Sequence, residues 1–244
     1  MRHPKIRGVT DTNSTQPGPL IRQSSEERGI ERLCHFTQLN SLELILQSGG
    51  LWSRKRLSSA DMRVLANDPH RIDGHEDHIS LSITYPNTWV LDSFVSNVPT
   101  VPWIILLFDP SPLWWPDTLF SPANAARGNG SLVCSGPEAF EGLFAQSVSG
   151  SSWPRSNSHC KQSPTDAQAE VLVQTGLSIR NLNGIVSPTT EIAQSVKSSL
   201  ERWPTLASRI GIFSCREFFE PNAIKVAVRE NVAPVLAPFP MIAH

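Results

Sequence analysis

Tyrosine occurs once in this chain, at Tyr85, and cysteine four times, at Cys34, Cys134, Cys160 and Cys215. No two cysteines stand in a C-x-x-C pair, and a chain of 244 residues can bury a core that needs no disulfide framework. Reduced thiols, as in a cytoplasmic protein, are expected. Long apolar runs are missing too. The longest, WIILLF at 103–108, falls far short of the roughly 20 residues that cross a bilayer. The opening MRHPKIRGVT has no apolar segment of a signal peptide. An excess of positive charge is also absent, since 21 Lys and Arg against 22 Asp and Glu leave a net charge of −1. Proteins that coat nucleic acid without specificity are usually basic, so any such contact here has to be local. The expectation is a soluble cytoplasmic protein with no membrane partner.

Several catalytic signatures are lacking as well. There is no G-x-x-x-x-G-K-[ST] phosphate loop and no G-x-S-x-G nucleophile elbow. GNG at 128–130 lacks the third glycine of a dinucleotide fingerprint, and the H-x-E…P-C-x-x-C deaminase pattern does not occur. HEDH at 75–78 sets two histidines three apart without H-E-x-x-H spacing. It reads as a solvated loop, and no metal is expected.

What is present reads as one α+β domain over residues 29–244 with a mixed or antiparallel sheet, preceded by a flexible polar arm over 1–28. A strand is expected to end near His35. A helix follows, with Asn40 as N-cap, Glu43 as its capping-box partner, and Gly49 and Gly50 at its end. Residues 52–78 read as a charged loop or broken helix. HISLSIT alternates apolar and polar positions and predicts a half-buried strand, whereas WIILLF predicts one buried on both faces. Long loops are expected over 109–137 and 145–168, a strand over EVLVQT at 170–175, a helix over SPTTEIAQSVKSSLERW, and a late strand at IKVAV.

Four segments taken together carry a resemblance: CHFTQLNSLELILQSGGL at 34–51, RIDGHEDHISLSITYPN at 71–87, FSPANAARG at 120–128 and QAEVLV at 168–173. In this order and spacing they resemble the DarT family, bacterial toxins that transfer ADP-ribose from NAD onto nucleic-acid bases. The resemblance runs from about residue 30 to 175. It implies an ADP-ribosyltransferase-like fold, NAD as co-substrate and an antitoxin protein as partner. It also implies catalytic roles for Glu170 and Arg71, and NAD contacts from His35, Phe36, Thr37, Asn40, Arg71 and Asn124. Arg54 lies in the same charged region as Arg71 and competes for the role of site arginine. Phe36 and Tyr85 compete as the stacking partner of nicotinamide.

The chemistry asks for these residue types. Breaking the nicotinamide–ribose bond leaves an oxocarbenium-like ribose, as in glycoside hydrolysis, and a fixed carboxylate stabilises that cation. A guanidinium meets a diphosphate in a planar, two-pronged way. Gln168 stands two before Glu170, where ADP-ribosyltransferases select their acceptor. A glutamine there argues against arginine and fits a base or an amide. Trp153 and Arg155 in the loop before it suit stacking on a base and contact with a phosphate. A base of single-stranded DNA is the favoured acceptor, with messenger RNA next. A protein side chain, or a catalytically inactive NAD- or nucleic-acid-binding module, remains the alternative.

Overall fold

The computed structural model describes residues 17–59, 73–149, 151 and 153–240. In chain order the elements are α1 (Pro17–Arg28), β1 (Leu33–Gln38), α2 (Leu42–Ser48), β2 (Gly50–Trp52), α3 (Arg54–Ser59), β3 (His78–Ile83), α4 (Thr88–Asn97), β4 (Trp103–Phe108), β5 (Leu119–Ser121), β6 (Cys134–Ser135), α5 (Pro137–Gly142), β7 (Glu170–Gln174), β8 (Gly176–Ser178), β9 (Leu182–Ser187), α6 (Thr190–Glu201), α7 (Pro204–Ala207), β10 (Gly211–Ser214), α8 (Pro221–Glu230) and β11 (Ala237–Pro238). Nine strands form one sheet in the order β11-β10-β9-β4-β1-β3-β7-β5-β6, and β2 pairs with β8 apart from it. Among the described residues only β9 and β10, joined through α6 and α7, run parallel; the other pairs are antiparallel. The mixed sheet agrees with the expectation. Among the described residues no helix is long and apolar enough to cross a membrane.

β4 explains why WIILLF shows no alternation. Ile104, Leu106 and Phe108 enter the core beneath α1, α2 and α6, while Trp103, Ile105 and Leu107 enter a second core beneath α4 and α8. Each face of the strand therefore needs apolar residues. β3 divides differently. Ile79, Leu81 and Ile83 feed the first core, while Ser80 and Ser82 turn to a cleft rather than to bulk solvent. The expected alternation is present, but its polar side is functional space.

Four expectations are corrected. From residue 17 the polar arm is helix α1, docked by burial of Ile21 and Ser25 one turn apart. Arg28 bonds Glu141 at 2.6 Å, and the Ser24 hydroxyl donates to the same carboxylate. One apolar position with ion-paired flanks holds a helix that composition alone reads as unstructured; residues 1–16 lie outside the described set. Asn40 does not cap α2. It is exposed within a 3-10 turn, Leu39–Ser41, and the helix begins after Ser41 without a side-chain cap. Glu43 instead accepts from Gln47 at 2.8 Å and pairs with Arg202. Gly49 ends the helix as expected, in the left-handed region at φ 73°, where a residue with Cβ is strained. IKVAV is helix, not strand. Pro221 opens α8, and Ile224, Ala227 and Val228 are buried at helical spacing. Finally, α4 follows the YPN turn where no helix was expected, with Asn87 Oδ1 accepting from Val90 N at 3.3 Å as its N-cap.

Candidate active site

The last strands of the sheet's longer half present one carboxylate to the cleft. β7 begins at Glu170, paired in register with Ser121 at the end of β5. Beyond Ser121 the chain turns back, and the backbone N–H of Ala125 donates to Glu170 Oε1 at 3.0 Å. Asn124 closes that turn, its Oδ1 accepting from Ala126 N at 3.0 Å. The FSPANAARG segment thus builds a bracket around Glu170: a strand to pair with, then a backbone donor to aim the side chain. Asn124, Ala126 and Glu170 all line the cleft. On the approach to β7, Asp166 Oδ1 accepts from Gln168 N at 2.8 Å and Ala169 N donates to Asp166 O at 3.0 Å, so a tight turn sets where the strand starts.

Across the sheet, His35 lies mid-strand in β1, not at its end, and lines the same cleft. Its Nδ1 is 2.9 Å from the carbonyl oxygen of Ser80. A carbonyl only accepts, so Nδ1 carries the hydrogen, which leaves Nε2 as the acceptor of the neutral tautomer. Phe36 lines the cleft beside it, with ring centroids 6.1 Å apart, and packs on Phe94 at 5.9 Å and Trp103 at 6.0 Å. Thr37 is buried in the cleft wall. Arg54, the first residue of α3, also lines the cleft. Its position is set by the buried Ser53, whose N–H donates to Thr175 O at 2.9 Å. His35, Phe36, Thr37, Asn124 and Glu170, though separated by up to 135 residues, are thereby gathered with Arg54 around one cavity.

The remaining expected residues fall elsewhere. Arg71 lies outside the described residues. Asn40 is exposed and does not line the cleft. Gln168 is half-buried just outside it. The Arg155 guanidinium is turned inward, donating to Ser163 O at 2.9 Å and Cys160 O at 2.8 Å, so it fastens the loop that carries it. Trp153 is exposed beside α8, with the Arg229 guanidinium over its ring, and does not line the cleft. Tyr85 is buried against Phe218 with centroids 6.0 Å apart, outside the cleft lining, and burial pushes its phenol up to about 12. Phe36 is thus the aromatic of the original pair that faces the cleft. Val90 and Phe94 of α4 also line it, and sequence reasoning missed them. The signal was Asn87, an N-cap type behind a proline.

HEDH departs from a solvated loop. His78 is buried, opens β3 and lines the cleft. Its Nδ1 donates to Asp77 Oδ1 at 2.7 Å, and Gln174 Nε2 donates to Asp77 Oδ2 at 3.2 Å. Burial raises the Asp77 carboxyl, but these bonds outweigh it and leave the group below its usual range. His75, Asp77 and His78 bring one donor atom each within 4.8 Å of one another.

No curated protein matches the chain in sequence. Solved structures do match in fold. Thermus sp. 2.9 DarT in complex with NAD+ superposes with a TM-score of 0.55 at 16% identity, over 78% of this chain and 98% of that one. The same protein in complex with ADP-ribosylated ssDNA gives 0.57 at 15%, over 79% and 97%. Thermosipho africanus DarTG in complex with ADP-ribose gives 0.53 at 14%, over 78% of this chain and 51% of that one. At such identities the likeness establishes the fold. The family profile described as ssDNA thymidine ADP-ribosyltransferase, DarT, matches residues 34–214, well over half of the sequence. The chain belongs to the DarT family of NAD-dependent ADP-ribosyltransferases.

Proposed function

We propose that this protein transfers ADP-ribose from NAD onto a thymidine base of single-stranded DNA, with release of nicotinamide, and that it does so as the toxin of a toxin–antitoxin pair. The observation that carries the enzymatic reading is the Glu170 carboxylate, fixed by the Ala125 N–H at 3.0 Å in the cleft that also holds His35 and Arg54. A carboxylate aimed by backbone is suited to stabilise a cation that exists only in the transition state.

Each residue then has a task. Arg54 neutralises the diphosphate of NAD, the role for which Arg71 was its rival. His35, with its tautomer set by Ser80 O, accepts from a ribose hydroxyl through Nε2. Phe36, backed by Phe94 and Trp103, offers an apolar wall to the nicotinamide ring. The bond between nicotinamide nitrogen and ribose carbon breaks with its electron pair leaving on nicotinamide. Glu170 faces the resulting oxocarbenium ion. A base nitrogen of the acceptor supplies the pair for the new bond, and its proton passes to the Glu170 carboxylate. Gln168, just outside the cleft on the chain leading to Glu170, offers a donor and an acceptor to the base edge. The base must be unpaired to reach the ribose carbon, which favours a single strand.

The single-strand reading draws support from the family description and from the ADP-ribosylated ssDNA held by the Thermus sp. 2.9 relative. The deciding measurement is incubation with labelled NAD and separate pools of single-stranded DNA, messenger RNA and protein. Label is expected on DNA. Label on RNA or protein alone would replace the acceptor, and consumption of NAD with no labelled pool would reduce the activity to hydrolysis. Gln168→Ala is expected to cut transfer to DNA about tenfold more than it cuts hydrolysis of NAD, consistent with one lost hydrogen bond to the acceptor.

A further inference from the structure

The loop before Glu170 and helix α8 meet at an exposed tryptophan. Trp153 is 57% exposed. The guanidinium carbon of Arg229 lies over its indole, 4.5 Å from the ring centroid, and Lys225 Nζ lies 5.9 Å from it. Among the described residues neither cation pairs with a carboxylate, whereas Arg216, shortly before α8, pairs with Glu220 at 2.8 Å. Glu230, adjacent in sequence, is exposed and makes no ion pair among the described residues. Two cations thus flank one exposed indole on the surface of a chain whose net charge is −1. Their chemistry suits a polyanion that carries flat rings.

This patch is joined to the active site. On the buried side of the same helix, Ile224 and Val228 line a small cavity with Asp166, Ala167 and Ala169, which directly precede Glu170. Ser82 lines that cavity and the main cleft alike. Cys160 N donates to Val228 O at 2.8 Å and the Ser158 hydroxyl to Arg229 O at 2.9 Å, so the loop is fastened along α8. The loop that carries Trp153, helix α8 and the turn before Glu170 thus form one packed unit.

We propose that Trp153, Lys225 and Arg229 form a second binding point for the acceptor strand, outside the NAD cleft. A base some nucleotides from the target stacks on the open indole surface, and the phosphates beside it meet Lys225 and Arg229. The proposal rests on the single-stranded DNA reading above and adds that the enzyme senses strand length.

The test uses the full chain, binding by fluorescence anisotropy, and DNA strands of about 16 and about 4 nucleotides, the two ends of the site sizes usual for single-strand binding folds. Trp153→Ala and the double variant Lys225→Gln, Arg229→Gln are expected to lose about tenfold in affinity for the long strand and much less for the short one. The double variant should also flatten the log–log salt dependence by about 1.4, for two phosphate contacts on a single strand. Trp153→Phe keeps a stacking ring and should recover most of the loss, which separates stacking from a folding defect; thermal unfolding of every variant checks the latter. Long-strand affinity and salt slope equal to wild type in the variants would overturn the patch while leaving transfer to DNA standing. Equal losses on both strands would overturn it as well. Failure of the wild-type protein to bind or label any DNA strand would instead bring down the acceptor reading and the patch with it.

Discussion

The cleft around Glu170 and the loop before it, for which NAD and the acceptor are proposed, are built by different means. In the cleft, Glu170 and His35 sit on paired strands, and strand register decides which residues meet. On the acceptor side, α5 ends at Gly142 and β7 begins at Glu170, with no helix or strand between among the described residues. There, side chains bond to backbone carbonyls instead. Arg155 holds Ser163 and Cys160, His159 Nε2 donates to Pro164 O at 3.0 Å, and Thr165 Oγ1 donates to Ala145 O at 2.6 Å. A ladder cannot be shifted by one residue without turning every side chain over. A loop pinned by a few side chains can be reshaped by replacing them. The strands that carry Glu170 and His35 are therefore the harder part of the molecule to alter and the loop before Glu170 the easier part.

The comparison breaks first at Glu170. Glu170→Gln keeps an oxygen for the Ala125 N–H and should fold normally, yet lose ~10²–10³ in transfer rate, the usual cost of one electrostatic stabiliser. Single-turnover kinetics with circular dichroism as a control measure it; wild-type rates in a folded variant would remove Glu170 from the chemistry. Next in size is Arg54→Ala, expected to lower kcat/KM for NAD by about 10–100-fold through one charged hydrogen-bonding partner, with Lys recovering only part. A mild effect at Arg54 beside a severe one for Arg71→Ala would hand the role to Arg71.

On the acceptor side the effects should be on stability. Arg155→Ala leaves two backbone carbonyls unserved and is expected to cost about 1–3 kcal/mol in denaturant unfolding. Unchanged stability with a flatter salt dependence of DNA binding would return Arg155 to phosphate contact. The smallest effect is acid-induced. Burial holds the His159 imidazole below its ordinary 6.5, despite its bond to Pro164 O. The unfolded ring then takes up a proton near pH 6.5 while the folded one resists. Its contribution is complete above that pH and declines as pH falls toward the lower folded value. Hydrogen exchange across residues 159–165 should rise first on acidification, before exchange in β7.

Sequence made the sheet side more legible than the loop side for the same reason. WIILLF, HISLSIT and EVLVQT are legible as strands because a short apolar run or an alternation displays which faces are buried, and Glu170 and His35, which line one cleft, could be singled out because the segments bearing them have a recognisable order. Arg155 was misjudged because a guanidinium's target depends on where backbone carbonyls turn, which no local pattern shows. IKVAV was misjudged because three β-branched residues in five, at alternate positions, outweighed a helical spacing spread over Ile224, Ala227 and Val228. Asn40 looked like a cap, but a 3-10 turn moved the helix start beyond it. Arg54 and Phe94 reached the cleft through tertiary placement alone.

One detail bears on how this protein tolerates mutation. The donor that aims Glu170 is the main-chain nitrogen of Ala125, so the hydrogen bond is encoded by the route of the chain and not by a codon for a polar residue. Among single substitutions at position 125, proline alone deletes the donor outright. Drift in sequence can erode most of the identity to a relative and still leave the carboxylate pointed, provided the turn after β5 is kept.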